Sequence, residues 1–344
     1  MLKFIRYFFA FILTVYISSI IVFAQPENTI YSNIINVFML GTFILYRIIY
    51  GKISFKLNNE IGAYILFIII GLGSFIWAHD PLLSINMGFR LIFLAINMIL
   101  IYNIIIEFKI ENAFMNGLII GSFVNYLVLI NFIHVGYETI LHFRFTGTMG
   151  NPNLLAIALI FSILISIIYL KLKKISTLYI AINYINIFLA IYMIFETASK
   201  KGIFFGSIIL IVHLLTELRS FKKAIFQFSI ISIVMFFVFY NVDIFSELIE
   251  NNIIRMIDLF SVLEGSAKDA STTERLDLIN AGLNIFADNP LLGIGLDNFK
   301  LINRHYAHNN YVELLSDVGL LGLVAYYIIF YFLVKKYSLC IIKY

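Results

Sequence analysis

Runs of about 18 or more apolar, nearly uncharged residues recur along this chain of 344 residues, and a soluble fold has no way to bury so many of them. They fall at roughly 4–24, 30–50, 61–78, 82–106, 111–133, 152–170, 177–196, 202–218, 224–241 and 311–334. Each approaches the ~20 residues a helix needs to cross a bilayer, where only helices and closed barrels satisfy their own backbone. The fold class expected is therefore all-α: a polytopic integral membrane helical bundle of about ten transmembrane helices. Composition excludes an ordinary soluble domain, since 61% of residues are hydrophobic and 13% charged, against roughly half and a quarter in soluble proteins. A single cysteine, Cys340, excludes an internal disulfide framework and a cysteine-rich metal site. The first run, with Lys3 and Arg6 before it and Val22-Phe23-Ala24 at its end, also has the outline of a cleaved signal peptide. Its apolar stretch exceeds the ~7–15 residues of a signal core, which favours a span.

Three regions follow: transmembrane helices 1–9 over 1–241, a long extracytoplasmic helical loop over 242–310, and the last span with a short cytoplasmic tail over 311–344. Lys52, Lys56, Lys109, Lys171, Lys173, Lys174, Arg219, Lys222, Lys223, Lys335, Lys336 and Lys343 all fall on one side of the membrane. The positive-inside bias makes that side cytoplasmic, with the amino terminus. The opposite face carries short turns such as 25–29 and 77–84 and two longer loops, about 134–150 and 242–310. Within the longest, Ile244 to Leu263 reads as an amphipathic helix and Thr272 to Ala287 as another, its apolar stripe being Leu276, Ile279, Leu283 and Phe286. Ser271-Thr272-Thr273-Glu274 is a capping-box pattern for the second, and Asp288-Asn289-Pro290 stops it. The loop reads as a small folded lid.

Cations on the outer face work against the topology signal and call for another reason. They are Arg144, Lys200, Lys201, Arg255, Lys268, Arg275, Lys300 and Arg304, with Arg90 inside the fourth span about two turns below the surface. An uncompensated charge there costs on the order of 2.5–3.5 kcal/mol, so Arg90 is a functional candidate unless it snorkels to the interface. Lys200 and Lys201 sit in a tight turn, Thr197 to Gly202, where adjacent ammonium groups repel unless an anion is near; plain solvation is the simpler alternative. For Arg275 the alternative is a salt bridge with Glu274 or Asp277. The long loop carries ten acids against five bases. Discrete cations in an acidic frame suit one small phosphorylated ligand, whereas nucleic acid requires a continuous basic groove and is not an expected partner.

Five of the six histidines, His79, His134, His142, His305 and His308, map to the outer face. His305 and His308 lack a third histidine and an HExxH pattern, so no metal site and no cofactor is expected. His308 stands just outside the last span, where Asn310 with Glu313 can cap the helix and leave its positive end beside the imidazole. This is a candidate general base at an anion-friendly helix terminus. Gly319, Gly322 and Ala325 form a small-residue surface for a neighbouring helix, and Gly71/Gly73 and Gly117/Gly121 read the same way. Asn97, Asn125, Asn183 and Asn186 lie within spans and read as interhelical hydrogen-bonding groups.

The His308-Asn309 segment followed by Gly319-x-x-Gly322 resembles the signature of the O-antigen ligase and O-antigen polymerase family. Further stretches match in order over about residues 75–330: Arg144 with Gly150-Asn151-Pro152-Asn153, the turn Thr197 to Gly202, and Arg275 followed by Asn289 to Gly295 and Asn298-Phe299. Lysine stands at 200 where the family usually has arginine, keeping the charge but losing bidentate phosphate geometry, with Lys201 a possible substitute. The resemblance implies a metal-independent membrane glycosyltransferase on the outer face of a bacterial cytoplasmic membrane. Its partners are an undecaprenyl-diphosphate-linked glycan donor, a glycan or glycolipid acceptor, and membrane lipids. On that reading His308 is the catalytic base; Arg275, Arg144, Lys200, Lys201 and Arg90 hold the diphosphate; Asn309, Glu313 and Arg304 orient substrate. A polymerase of O-antigen or capsular repeat units is the leading expectation, with a ligase to lipid A-core or another acceptor as alternative. A transporter or flippase for a lipid-linked oligosaccharide is the alternative from a different class, which broken midplane helices and internal repeats would mark. Sugar, linkage and oligomeric state are not written in the chain.

Overall fold

A computed structural model describes residues 2–51, 54–135, 139–141, 144–171, 176–217, 270–303 and 309–342. The helices are α1 (Leu2–Val22), α2 (Thr29–Ile49), α3 (Asn59–Gly73), α4 (Pro81–Phe108), α5 (Glu111–Leu129), α6 (Pro152–Lys171), α7 (Thr177–Glu196), α8 (Lys200–Glu217), α9 (Ala270–Asp288), α10 (Phe299–Asn303) and α11 (Asn310–Ile342). Strands β1 (Ile140–Leu141) and β2 (Arg144–Phe145) make a short antiparallel ladder. Among the described residues, eight helices are long and apolar enough to span a membrane, and they coincide with eight of the ten predicted runs. The run at 202–218 is α8, which carries charge at both ends, Lys200 and Lys201 opening it and Glu217 closing it. The run at 224–241 and the amphipathic helix at 244–263 lie outside the described residues. The chain is an all-α, multi-pass membrane protein.

By its contacts the chain divides into two compact units, Met1–Leu45 with Ile105–Ile257, and Tyr46–Ile104 with Asp258–Tyr344. In the first, α1 lies against α5 because Gly117 and Gly121 leave room for Ile17 and Ile21; a Cβ at Gly117 would stand 2.6 Å from that of Ile17. These glycines pack helices, as expected. The core gathers on α6, whose Leu155, Leu159 and Ile163 are fully buried against Ala190 and Met193 of α7. Asn186 donates to the hydroxyls of Ser162 and Ser166, at 2.8 and 2.9 Å, and ties α7 to α6 as expected. Asn183 departs from that expectation: its amide bonds back to the Tyr179 carbonyl, 2.7 Å, within its own helix. In an apolar solvent the carbonyl one turn away is always within reach. Segments expected to share a membrane face also meet, one pair at each end of α1. Arg6 donates to the Lys109 carbonyl, 3.0 Å, and Thr148 donates to the Ile21 carbonyl, 2.8 Å.

The second unit corrects the picture of its last helix. Residues 310–342 are not one straight rod, because Gly319 takes φ 62° and ψ −165° and breaks the helix. The rings of Tyr311 and Tyr327 stack with centroids 5.7 Å apart, although sixteen residues of straight helix would separate them by ~24 Å. The chain therefore turns sharply at Gly319 and forms an arm, 310–318, before the longer segment that follows. In an unbroken helix, Leu320 and Leu321 would donate to Ser316 and Asp317. Instead the segment from Pro290 to Gly295 is spliced in. Leu320 and Leu321 donate to the carbonyls of Pro290 and Leu291, at 2.9 and 3.2 Å, while Ile294 and Gly295 donate to those of Ser316 and Asp317, at 2.9 and 2.8 Å. Gly319 thus serves backbone against backbone, not as a bed for another helix: a Cβ there would stand 2.4 Å from the Leu291 carbonyl. Gly71 likewise meets Leu296 of this segment, 3.1 Å from its Cδ2, and not a helix, while nothing lies within 4 Å of a Cβ at Gly73.

Side chains lock the splice. The buried Asp317 carboxylate accepts from the amides of Asp297 and Phe299, at 2.9 and 2.7 Å. Asn298, also buried, accepts from the Asp80 amide at 2.7 Å and donates to Ser84 Oγ at 3.1 Å. Ser74 Oγ accepts from the Leu296 amide at 2.9 Å. Helix α9 packs beside the arm through Leu278, Ile279 and Ile285, which meet Phe299 and Val312. This corrects the predicted stripe, for Leu276 and Leu283 are exposed. Gly282 decides the face, since only a residue without Cβ admits Val312, whose Cγ1 would lie 2.3 Å from it. Helix α9 is already formed at Ala270, so Ser271 lies within the first turn and not at the cap.

Gly319→Ala should lower thermal stability markedly in detergent, because backbone strain of about 1–3 kcal/mol adds to the clash with Leu291. Gly62→Ala, a control on α3 with open space around it, should melt with wild type or slightly above, helical alanine being favoured by roughly 0.5–1 kcal/mol. Equal melting of the two variants would refute the splice.

Candidate functional site

The motif Gly150-Asn151-Pro152-Asn153 builds the start of α6. Gly150 turns the chain at φ 64°, and the Asn151 side chain caps the helix by accepting from the amides of Asn153 and Leu154, at 2.9 and 3.2 Å. Pro152 follows at the first helical position, where its missing N–H costs nothing. Asn153 is thereby turned towards two neighbours. Its Oδ1 accepts from Arg144 Nη2 at 3.3 Å and from Ser199 Oγ at 2.9 Å.

The turn from Thr197 to Gly202 joins α7 to α8. Thr197 closes α7 through its hydroxyl on the Ile194 carbonyl, 2.7 Å, Ala198 takes φ 45°, and Ser199 accepts from the Gly202 amide at 3.2 Å. Arg144 Nε donates to the Thr197 carbonyl at 3.0 Å. The glycine lets α8 approach α6, for a Cβ at Gly202 would lie 2.7 Å from that of Ala156. Two separate stretches, 144–153 and 197–202, therefore form one corner: Arg144, the N-terminus of α6 and the N-terminus of α8. The lysines are a correction to the expected turn, since Lys200 and Lys201 are the first two residues of α8, both exposed. Cations at a helix N-terminus face the positive end of the macrodipole, which disfavours them by ~0.3–1 kcal/mol each. An anion at that place reverses the balance.

The other predicted residues belong to the second unit. Arg90 is exposed on α4, without hydrogen bond or ion pair among the described residues. Arg275 lies in the first turns of α9, one turn before Leu278 and Ile279. The helix cap is corrected: Asn309, not Asn310, accepts from the amides of Tyr311 and Val312, at 3.0 and 3.4 Å, and its carbonyl takes the Glu313 amide at 3.0 Å. Glu313 is half-buried in the arm. His308 and Arg304 lie outside the described residues. The sequence analysis gives Asn153 and Ser199 no role within the motifs that contain them, though Asn-Pro-Asn at the start of an apolar run is a legible cap signal. It also passed over Asp317, an ionisable group within an apparent span.

Asn153→Ala should remove the acceptor shared by Arg144 and Ser199 and cost about 1–3 kcal/mol, the penalty for orphaned partly buried donors. Thermal melting and faster amide exchange at Ser199 and Gly202 are the readouts; unchanged exchange at these amides would contradict this account of the corner.

No curated protein matches the chain. The family model described as O-antigen ligase matches residues 185–327, from within α7 to within α11. The matched stretch contains Lys200, Lys201, Arg275, Arg304, His308, Asn309 and Glu313, whereas Arg90 and Arg144 precede it. Residues 185–327 of this multi-pass membrane protein are thus similar to the O-antigen ligase family, which supports a role in membrane glycan transfer.

Proposed function

We propose that the protein polymerises lipid-linked glycan repeat units at the outer face of the bacterial cytoplasmic membrane, moving the glycan from undecaprenyl diphosphate to an acceptor sugar hydroxyl. The observation that carries this reading is the corner where Arg144, Asn153 and Ser199 bring two helix N-termini together beside Lys200 and Lys201. Backbone amides, dipoles and three cations favour a multiply charged anion. A diphosphate is such a group.

In the proposed step His308 takes the proton of the acceptor hydroxyl, an imidazole having a reference pKa near 6.5. The acceptor oxygen bonds to the anomeric carbon as the bond from that carbon to the phosphate oxygen breaks. Charge gathers on the departing diphosphate. Arg144, Lys200 and Lys201, with Arg275 and Arg90, stabilise it, and preorganised cations aimed at developing charge are a large term in catalysis. Asn309, Glu313 and Arg304 orient the base or sugar hydroxyls, and the reading gives no step to a metal. One base and one displacement invert the anomeric centre.

With purified protein in nanodiscs and the native lipid-linked repeat unit, wild type should release undecaprenyl diphosphate and build a ladder on a glycolipid gel. His308→Ala should fall by about 10²–10⁴-fold, the usual span for loss of a general base. Release without a ladder, in the presence of lipid A-core, would make the protein a ligase. Movement of the lipid-linked glycan across the bilayer without release from either protein would replace transfer by transport. The anomeric configuration of the new linkage, read by NMR, should be opposite to that of the donor; retention would sink direct displacement.

A further inference from the structure

An ion pair marks the floor of the second unit. Lys336 of α11 stands 3.4 Å from Glu60 in the first turn of α3, so the two helices are level there, and charges of this kind belong at the edge of the hydrocarbon. From Lys336 back to Leu320 the helix rises roughly 24 Å, and from Glu60 to Trp77 the α-helix with its closing 3-10 turn rises roughly 27 Å, both short of a hydrocarbon core about 30 Å thick. Tilt lowers both heights further. The break at Gly319 therefore falls inside the bilayer, and the spliced segment reaches deeper still. Leu296 lies against Gly71 and gives its amide to Ser74 Oγ at 2.9 Å, which sets it only ~17–21 Å above the floor. Even with the lysine stem snorkelling towards water, Leu296 stays within the core.

Pro290 to Leu296 holds no charge, although it belongs to the long loop expected to be extracytoplasmic. Irregular backbone survives at bilayer depth only where the protein itself satisfies it. That condition is met: the amides from Gly293 to Phe299 all donate within the chain. The carbonyls of Leu292, Ile294 and Leu296 accept from Trp77 Nε1, the His79 amide and Ser84 Oγ, at 3.2, 3.1 and 3.0 Å. A loop standing in water has no need of such complete pairing. What this one leaves outside are apolar side chains, Leu291 and Leu292, 61% and 40% exposed, beside exposed Ile76 and Trp77. We infer that Pro290–Leu296 is a re-entrant segment that dips into the leaflet at this end of the spans, the outer one on the orientation the charges predict, and presents Leu291, Leu292 and Trp77 to lipid acyl chains. Lipid is the occupant because the patch is continuous with the surface of a span: the Leu291 carbonyl holds the Leu321 amide at 3.2 Å, and Leu320 and Leu321 are themselves exposed. Trp77 takes the level at which interfacial tryptophans anchor membrane proteins. The long loop is thereby pinned into the membrane at its carboxyl-terminal end.

Trp77 is the sole tryptophan of the chain and Cys340 its sole cysteine, so two probes report without interference. The full chain is reconstituted in vesicles of phosphatidylcholine and phosphatidylglycerol whose acyl chains carry bromine either near the glycerol or near the bilayer centre. Trp77 emission in wild type should be blue-shifted, quenched more by the shallow bromine than by the deep one, and indifferent to aqueous iodide. An NBD group attached through Leu291→Cys, in a chain that also carries Cys340→Ser, should respond in the same way. Quenching by iodide and not by bromolipid would place the patch in water, and shielding from both quenchers would show that protein covers it. Either result overturns the inference. So does a label at 291 in water beside a Trp77 in lipid, because the turn before α4 would then touch the membrane alone. The wild-type emission needs no substitution, so the inference stays refutable even where Leu291→Cys fails to fold. No glycan and no transfer activity enter the readout, which keeps the outcome separate from the function proposed above.

Discussion

Where no water is available, every backbone amide and carbonyl has to find its partner inside the chain. The second unit is organised around that requirement at Gly319. Breaking a helix in or near a membrane exposes donors and acceptors on both sides of the break, at several kcal/mol for each group left bare. Here the segment from Pro290 to Gly295 takes up four of them, carbonyl for carbonyl and amide for amide. The exchange makes two distant stretches a single element. Asp317 then extends the same logic by holding the amides of Asp297 and Phe299, and Asn298 carries it on to Asp80 and Ser84. The arm that begins at Asn309 has its course set by this lattice.

The first unit meets the same requirement with intact helices and capped ends. Asn151 and Ser199 satisfy amides of α6 and α8 that would otherwise be unpaired, and in doing so leave both helix N-termini close to Arg144. The anion-favouring character of that corner is a by-product of how the chain satisfies itself. Further charges then act on a field already present, and Lys200, Lys201 and Glu196 all sit where the dipoles oppose them. Local arrangements that disagree with helix electrostatics mark places where the sequence serves something besides the fold.

Much of this was legible from the chain alone, because hydropathy over twenty residues is a coarse and strong signal. The eight described spans, the helix after Ala270 and the glycine packing of α5 on α1 all follow from apolar runs and small-residue spacing. Arg144 and the turn at 197–202 were singled out as cations on the wrong face, and they do share a corner. What escaped was decided by backbone conformation. Gly319 within an apolar run looks like any packing glycine, and only its pairing with Leu291 shows that it breaks the helix. Hydropathy could not see this, since both sides of the break are equally apolar.

Side-chain detail was lost for a related reason. The most hydrophobic stripe points to one face of α9, yet Gly282 lets Val312 approach the neighbouring face and leaves Leu276 and Leu283 exposed. The pattern of asparagine with glutamate three residues on points to Asn310, and only the directions of the Tyr311 and Val312 amides choose Asn309. Charge, by contrast, is readable wherever it stands against its surroundings. Asp317 stands as an acid within an apolar run. It is compensated by the amides of Asp297 and Phe299, which makes a buried charge part of what holds the fold.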